Sequence, residues 1–285
     1  MSDPIAASRM RGYWLLARPY NLAIAFPAIF LGGFVSGSIR PVTGLILACF
    51  SGIAIGAGAN AINDYFDVEI DRINKPKRPL PSGLVSRGQA RRFAAACFLV
   101  GVALSAFINL PCFLVAGAAS VLLILYSSHL KRTVLLGNLT VAFLLGLALV
   151  FGGLAVGRIR NAVVVAVFAF LYNMAREILK DIEDLEGDRA LGAVTFPIRY
   201  GVAASLVLTT ADLLLLIAAT IIPYFLGYFS RLYLVIVLVG VDLFVAWALV
   251  SMWVRPEPRH LGRLAVWMKV DMLAGLLAVF AGRMR

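Results

Sequence analysis

Residues 134–156 read VLLGNLTVAFLLGLALVFGGLAV and contain no charged side chain. A helix needs about 20 mostly apolar residues to cross the hydrocarbon core of a bilayer, so this stretch predicts a membrane-spanning helix. Similar apolar stretches lie on both sides of it. They cover roughly residues 17–36, 42–63, 91–109, 111–128, 161–179, 202–222, 231–254 and 263–282. The chain is therefore predicted to be all-α and polytopic, with about nine transmembrane helices in a single domain, residues 1–285.

The overall composition supports this interpretation. The 285 residues are 61% hydrophobic and 14% charged, whereas soluble domains average about 45–50% apolar and about 25% charged residues. These proportions exclude a soluble domain, a disordered chain and a collagen. The three cysteines lie apart in apolar stretches, and the chain has two histidines, so neither a disulfide framework nor a zinc site is indicated.

The charges are unevenly distributed. Lys and Arg number 26 and Asp and Glu 15, a net charge of +11. In a soluble protein such an excess points to nucleic acid, but in a membrane protein basic residues collect in the cytoplasmic loops. Alternating the nine segments across the bilayer puts most basic residues on the side of the N-terminus. The sequence thus predicts a multi-pass protein of the cell membrane, with the N-terminus and long loops cytoplasmic and the C-terminus outside. It indicates no nucleic-acid partner and no obligate protein partner.

Most of the acidic residues lie in two short windows that match each other. Residues 64–72 read DYFDVEIDR and residues 181–189 read DIEDLEGDR, so both fit the pattern DxxDxExDR. Four predicted helices separate them, an even number that returns the second copy to the same side of the membrane. The match predicts an internal pseudo-repeat of about four helices, an arrangement that places a site between the two halves.

The spacing within each window shows which acids can act together. Positions i, i+3 and i+7 lie on one face of a helix, and each window has aspartates at these positions. They are Asp64, Asp67 and Asp71 in the first, preceded by Asn63, and Asp181, Asp184 and Asp188 in the second. A cation would offset the repulsion among them, and an oxygen-only ligand set favours Mg²⁺ or Ca²⁺. The alternative is that both windows are ordinary charged helix ends in water.

Basic residues follow the first window closely. Residues 72–83 read RINKPKRPLPSG, where the prolines favour a rigid loop, and residues 126–132 read YSSHLKR. Each segment is also compatible with a topology signal or a helix end. Beside metal ions, they would suit a clamp for a diphosphate. An apolar surrounding then favours a lipid diphosphate, which could react either at phosphorus or at carbon.

With these motifs the sequence resembles the UbiA superfamily of intramembrane prenyltransferases. Residues 63–71, NDYFDVEID, fit the family's first motif, NDxxDxxxD, and residues 181–188, DIEDLEGD, fit its second. The resemblance extends over almost the whole chain. It implies helices around a central cavity, capped by cytoplasmic loops. It also implies Mg²⁺-dependent ionisation of a polyprenyl diphosphate and transfer of the prenyl group to an acceptor.

The resemblance also implies roles for individual residues. Metal ligands, direct or through water, would be Asp67, Asp71, Asp184 and Asp188, with Asn63, Asp64 and Asp181 in support. The diphosphate would be held by Arg72, Lys75, Arg78 and Lys131, with Tyr126 beside it.

The stretch 63–83, NDYFDVEIDRINKPKRPLPSG, is most similar to an archaeal branch of the family. That similarity implies geranylgeranyl diphosphate as the donor and geranylgeranylglyceryl phosphate as a lipid-like acceptor. The product would carry the second ether bond of archaeal membrane lipids. Arg18 and Asn21 are candidates to bind the acceptor.

Two alternatives remain open at this point. One is an aromatic prenyltransferase acting on 4-hydroxybenzoate or a related quinone precursor. The other is a membrane transporter. Charged residues inside predicted helices are functional candidates by default, and four of them support a transporter. They are Asp212, Asp242, Lys269 and Asp271.

Overall fold

The computed structural model describes the backbone of residues 4–190 and 192–282, and the side chains in these ranges other than those of residues 4–9, 21 and 74. Within this part of the chain all regular structure is helical, which confirms the all-α prediction. The α-helices are α1 Pro4–Ala17, α2 Pro19–Val35, α3 Val42–Asn74, α4 Arg87–Ala106, α5 Leu110–Ser128, α6 Leu136–Ala155, α7 Arg160–Glu183, α8 Leu185–Ala190, α9 Phe196–Phe225, α10 Arg231–Val237, α11 Leu243–Val254 and α12 Pro258–Ala281.

All nine predicted apolar segments lie in helices, but the count of nine spans is not confirmed. In the described ranges, seven helices are long and apolar enough to cross a membrane, and the bent pair Met10–Ala17 and Leu22–Val35 can add an eighth. Helix α4 is not among them. Its first turns carry Arg87, Arg91 and Arg92, which lower its mean hydropathy although it is 20 residues long.

The two aspartate motifs sit at corresponding ends of the long helices α3 and α7, which lie at the centres of two hydrophobic clusters. Helix α3 packs against α2, α4 and α5, whereas α7 packs against α6, α9 and α12. One cluster contains Leu45 and Ile62 of α3, and the other contains Leu171 and Leu179 of α7. This arrangement agrees with a chain built from two similar halves.

Helices α2 and α6 connect the halves through glycines. A Cβ added at Gly32 would overlap the backbone carbonyl of Leu149, and one added at Gly152 would overlap that of Ile29. Small residues at such positions let membrane helices approach backbone to backbone. The glycine contact therefore fixes the distance between the two halves.

Candidate active site

The first motif lies at the end of α3, in a buried position. Asp64 and Asp71 are 1% and 3% exposed. Arg18 forms an ion pair with Asp64, and Arg78 forms ion pairs with both Asp64 and Asp71. A buried carboxylate costs free energy unless it is paired. Arg18 and Arg78 are therefore the residues that let two acids lie here.

The bend between α1 and α2 brings Arg18 to this site. Arg18 has left-handed backbone angles, φ 53° and ψ 64°, which are uncommon for a residue other than glycine. The carbonyl of Ala17 next to it accepts a hydrogen bond from Nδ2 of Asn60 at 2.8 Å. Thus α3 holds the bend through Asn60 and Asp64 together. The side chain of Asn21, the other residue predicted to bind the acceptor, lies outside the described residues.

Lys131 reaches the first motif from the other side. It lies in the short 3₁₀ turn Leu130–Arg132 between α5 and α6. Its Nζ forms an ion pair with Asp67 and donates to Oδ1 of Asn63 at 3.2 Å, while Nδ2 of Asn63 donates to Asp67 at 3.0 Å. Burial lowers the pKa of Lys131, and the negative charge of Asp67 opposes that effect.

The four residues predicted to hold a diphosphate divide into two pairs. Arg78 and Lys131 point at the carboxylates of the first motif. Arg72 is exposed and pairs with the equally exposed Glu69 at 2.7 Å, and Lys75 is exposed as well. The structure therefore brings Arg78 and Lys131 into the site and leaves Arg72 and Lys75 at its outer rim.

The second motif is not on one continuous helix, unlike the first. Helix α7 ends at Glu183 and α8 begins at Leu185, so Asp181 and Asp188 lie on different helices and Asp184 lies in the turn between them. The backbone N–H groups of Asp184 and Asp188 still donate four residues back, each at 2.9 Å. The turn therefore keeps approximately the helical spacing on which the predicted face depends.

Neighbouring residues hold the second motif in different ways. Oδ2 of Asp181 accepts a hydrogen bond from Nδ2 of Asn138 on α6 at 2.8 Å. Asp188 has a pKa raised to about 6, first because it is buried and next because Asp184 is negatively charged. One turn before Asp181, the buried Glu177 pairs with Arg176 at 2.6 Å and with Lys180 at 2.8 Å.

The two motifs meet around Tyr126, near the end of α5. The charges of Glu177, Asp181, Asp67 and Asp188 all act on its hydroxyl group. Asp67 of the first motif is also close enough to act on Asp188 of the second. Acidic residues distant in sequence therefore share one electrostatic site, which lies between the halves as the repeat predicts.

The chemistry of this site fits a hard divalent cation. Oδ2 of Asp64 is buried and accepts no hydrogen bond from the described residues. Within the same residues no three acidic, histidine or cysteine side chains converge as a ready metal cage. Mg²⁺ does not require such a cage, because it usually takes one or two carboxylates and completes its shell with water and substrate phosphates.

An apolar cavity of about 120 Å³ lies deeper in the membrane-spanning part. Helices α2, α6, α7, α9, α10 and α12 contribute to its wall. On α7 it is lined by Val165, Phe168, Ala169, Tyr172 and Asn173. Such a cavity suits a hydrocarbon chain.

Two of the acids inside the spanning helices have local partners. Asp242 accepts a hydrogen bond from Oγ1 of Thr220 at 3.1 Å, and Asp271 accepts one from the hydroxyl of Tyr172 at 2.6 Å. These bonds join α9 to the π-helical segment Leu238–Asp242 before α11, and α7 to α12. They give Asp242 and Asp271 a structural role in holding helices together.

Sequence reasoning does not find three polar residues of the site, namely Asn138, Arg176 and Lys180. A signal exists for Asn138, since it is the one amide side chain in the apolar stretch 134–156. Arg176 and Lys180 lie one turn apart beside Glu177, but the same spacing is common on solvated helix ends. The hydrogen bond of Arg176 to the carbonyl of Ala265 on α12 is visible in the structure alone.

Comparison with known proteins gives a consistent result. Residues 22–270 match the model of the UbiA prenyltransferase family. The chain is 43% identical to the digeranylgeranylglyceryl phosphate synthase of Methanopyrus kandleri over 272 residues, which are 95% of this chain and 99% of that protein. A solved structure described as digeranylgeranylglyceryl phosphate synthase in membranes is 32% identical. It matches with a TM-score of 0.83, over 96% of this chain and 98% of that one.

A more distant structure shares the fold. It is a UbiA homolog from Archaeoglobus fulgidus bound to GPP and Mg²⁺, 19% identical, with a TM-score of 0.72. The match covers 94% of this chain and 99% of that one. Together with the long apolar helices, these likenesses identify an integral membrane protein.

Proposed function

Since this chain belongs to the UbiA prenyltransferase family, we propose that it transfers a geranylgeranyl group from geranylgeranyl diphosphate to geranylgeranylglyceryl phosphate, in a reaction that depends on Mg²⁺. The transfer forms an ether bond of an archaeal membrane lipid. The observation that carries the proposal is that aspartates of both motifs act on Tyr126, while Arg78 and Lys131 pair with aspartates of the first motif. The synthase names of relatives up to 43% identical support the choice of substrates.

The donor, the acceptor and the carboxylates of the site account for every bond and proton in this reaction. The bond between C1 of the donor and its diphosphate oxygen breaks, and the diphosphate leaves with the electron pair. The resulting allylic cation accepts a lone pair from the glycerol hydroxyl, and a C–O bond forms. The hydroxyl proton passes to the departing diphosphate or to a carboxylate of the motifs. Exclusion of water protects the cation during the transfer.

The aspartates would form the binding site for the metal ions. Asp67, Asp71, Asp184 and Asp188 would bind Mg²⁺, directly or through water, and Asn63, Asp64 and Asp181 would orient them. Bound Mg²⁺ supplies positive charge that stabilises the leaving diphosphate. The oxygen-only ligands and the Mg²⁺ and GPP in the Archaeoglobus fulgidus homolog support this assignment.

The cations of the site would then exchange partners. Arg78 and Lys131 would turn from the carboxylates to the phosphate oxygens, Tyr126 would lie beside them, and Arg72 and Lys75 would close the outer rim. The basic residues near both motifs favour a cytoplasmic position for these loops and for the N-terminus. An odd number of spans would then put the C-terminus outside.

The decisive test is a transfer assay in lipid nanodiscs. Purified protein would receive labelled geranylgeranyl diphosphate with either geranylgeranylglyceryl phosphate or 4-hydroxybenzoate, in Mg²⁺ or in EDTA. We expect a Mg²⁺-dependent product with the glycerol phosphate alone. A product with the aromatic acid alone would keep the chemistry and overturn the proposed acceptor. No metal-dependent product with either would overturn the proposal and call for transport assays.

Lys131 provides a prediction for the donor. Lys131→Gln is expected to raise the KM for the prenyl diphosphate about tenfold or more, because a hydrogen bond to a charged group contributes about 1.5–3 kcal/mol. Steady-state kinetics at saturating acceptor would measure it. Lys77→Gln is the matched control, since Lys77 is an exposed cation of the loop after α3. An unchanged donor KM in Lys131→Gln would remove Lys131 from the diphosphate site.

A further inference from the structure

Three cations gather where α7 packs against α12. Arg176 and Lys180 are one turn apart on α7, and Lys269 on α12 is close enough for its charge to be repelled by both. Nε of Arg176 also donates to the carbonyl of Ala265 at 3.1 Å, which ties it to α12. A side chain on a helix leans toward the helix N-terminus, so Lys269 leans toward Ala265 and hence toward Arg176. Basic residues inside spanning helices are costly and are usually retained for a function.

The negative charge of Glu177 neutralises part of this positive charge. Its carboxylate is shared by Arg176 at 2.6 Å and Lys180 at 2.8 Å. The hydrogen bonds of Arg176 to described residues use Nε and Nη1, so Nη2 can donate to a ligand. Lys180 keeps 37% of its side chain exposed and has three N–H donors. The cluster therefore retains the capacity to bind an anion.

Along α7, the apolar cavity follows this cluster toward the N-terminus of the helix, deeper in the membrane-spanning part. Positions 165, 169, 172, 176 and 180 are three or four residues apart and share one face of α7. Val165, Ala169 and Tyr172 line the cavity, and Met272 lines it from α12, less than one turn from Lys269. An apolar cavity ending in a cationic group is complementary to a lipid with an anionic head group.

This face of α7 differs from the one that carries the second aspartate motif. Asn173, Glu177 and Asp181 are four residues apart and form a stripe beside the cationic face. The charge of Lys180 nevertheless acts on both Asp181 and Asp188, so the two faces are neighbours. Helix α7 thus carries residues of the candidate metal and diphosphate site on one face and a candidate second anion site on the neighbouring face.

We propose that Arg176, Lys180 and Lys269 bind the phosphate group of the acceptor lipid, with its hydrocarbon chain in the cavity below. This inference rests on the proposed function, which supplies an acceptor that carries a phosphate. It places the acceptor's hydroxyl beside the donor held at the aspartate motifs.

The test compares two acceptors that differ in the phosphate alone, geranylgeranylglyceryl phosphate and geranylgeranylglycerol, in nanodiscs of zwitterionic phosphatidylcholine. Arg176→Gln and Lys269→Gln are each expected to raise the KM for the phosphorylated acceptor about tenfold. The donor KM should stay unchanged, and the preference for the phosphorylated acceptor should fall by the same factor. Arg255→Gln is the matched control, because Arg255 is an exposed cation at the end of α11.

The outcomes separate this inference from the proposed function. If the wild-type protein makes no product with either acceptor, the proposed function and the assignment of this cluster are both wrong. If it makes product and the variants keep the wild-type preference for the phosphate, the assignment of this cluster is wrong. An equal rise in the donor KM would instead assign the cluster to the diphosphate. Should Arg176→Gln not remain monodisperse, Lys269→Gln alone decides.

Discussion

Asp67→Asn is expected to abolish most prenyl transfer, with kcat falling about a hundred- to a thousandfold, a loss typical when one electrostatic stabilising group is removed. Asp67 is the aspartate that contacts Lys131 and also acts on Asp188 across the site. An asparagine has nearly the same shape but cannot balance the charge of Lys131 or bind Mg²⁺ as a carboxylate does. The measurement is single-turnover product formation at saturating Mg²⁺ and donor.

Glu69→Gln provides the control for Asp67→Asn. Glu69 lies two residues further along α3, is exposed, and pairs with Arg72 at the surface. Removing its charge is expected to leave kcat near the wild-type value, because surface ion pairs contribute little. Gel filtration and thermal unfolding would verify that both variants fold. Near-full activity in a folded Asp67→Asn protein would disprove the proposed metal site.

Gly32→Ala is expected to destabilise the protein by about 1–3 kcal/mol, the usual cost of forcing extra volume into a packed contact. The new Cβ would overlap the carbonyl of Leu149, which belongs to the backbone of α6 and cannot rotate away. The two helices would have to separate. Because α2 and α6 connect the halves that carry the two motifs, we also expect weaker Mg²⁺-dependent activity. Thermal unfolding in detergent would measure the loss of stability.

Gly117→Ala is the matched control for the helix contact. Apart from neighbouring residues and the backbone of its own helix, no atom of the described residues lies within 4 Å of a Cβ added at Gly117 on α5. Alanine is a better helix former than glycine by about 1 kcal/mol, so the control should be as stable as the wild type or slightly more stable. If Gly32→Ala were equally well tolerated, the α2–α6 contact would not fix the distance between the halves.

The sequence predicts the elements of this protein better than the contacts between them. Hydropathy locates every long apolar helix, because the bilayer imposes the length and composition of a span. The span predicted at α4 is not confirmed, because three arginines in the first turns make this apolar segment borderline. The apolar segment itself ends near residue 63, and α3 continues through the first motif to Asn74, as the helical spacing of its aspartates predicts.

The partners of the aspartates depend on three-dimensional structure in a way that spacing cannot show. Arg78 turns back to Asp71 because the loop after α3 folds over the helix end, while Arg72, nearer in sequence, points outward. Arg18 reaches Asp64 through a left-handed bend that no local propensity favours. Such long-range pairs follow from tertiary packing, and the sequence can supply no more than a set of candidates for them.

The ion pairs of the first motif have one further consequence. Asp64, Asp67 and Asp71 already have guanidinium or ammonium partners in a buried setting. If Mg²⁺ and diphosphate enter together, as the proposed function requires, the metal would take the carboxylates while the freed cations would take the phosphate oxygens. Such a site would work as an ion exchanger. Positive and negative charge would enter in nearly equal amounts, so binding a highly charged substrate would leave the local electroneutrality of the membrane protein almost unchanged.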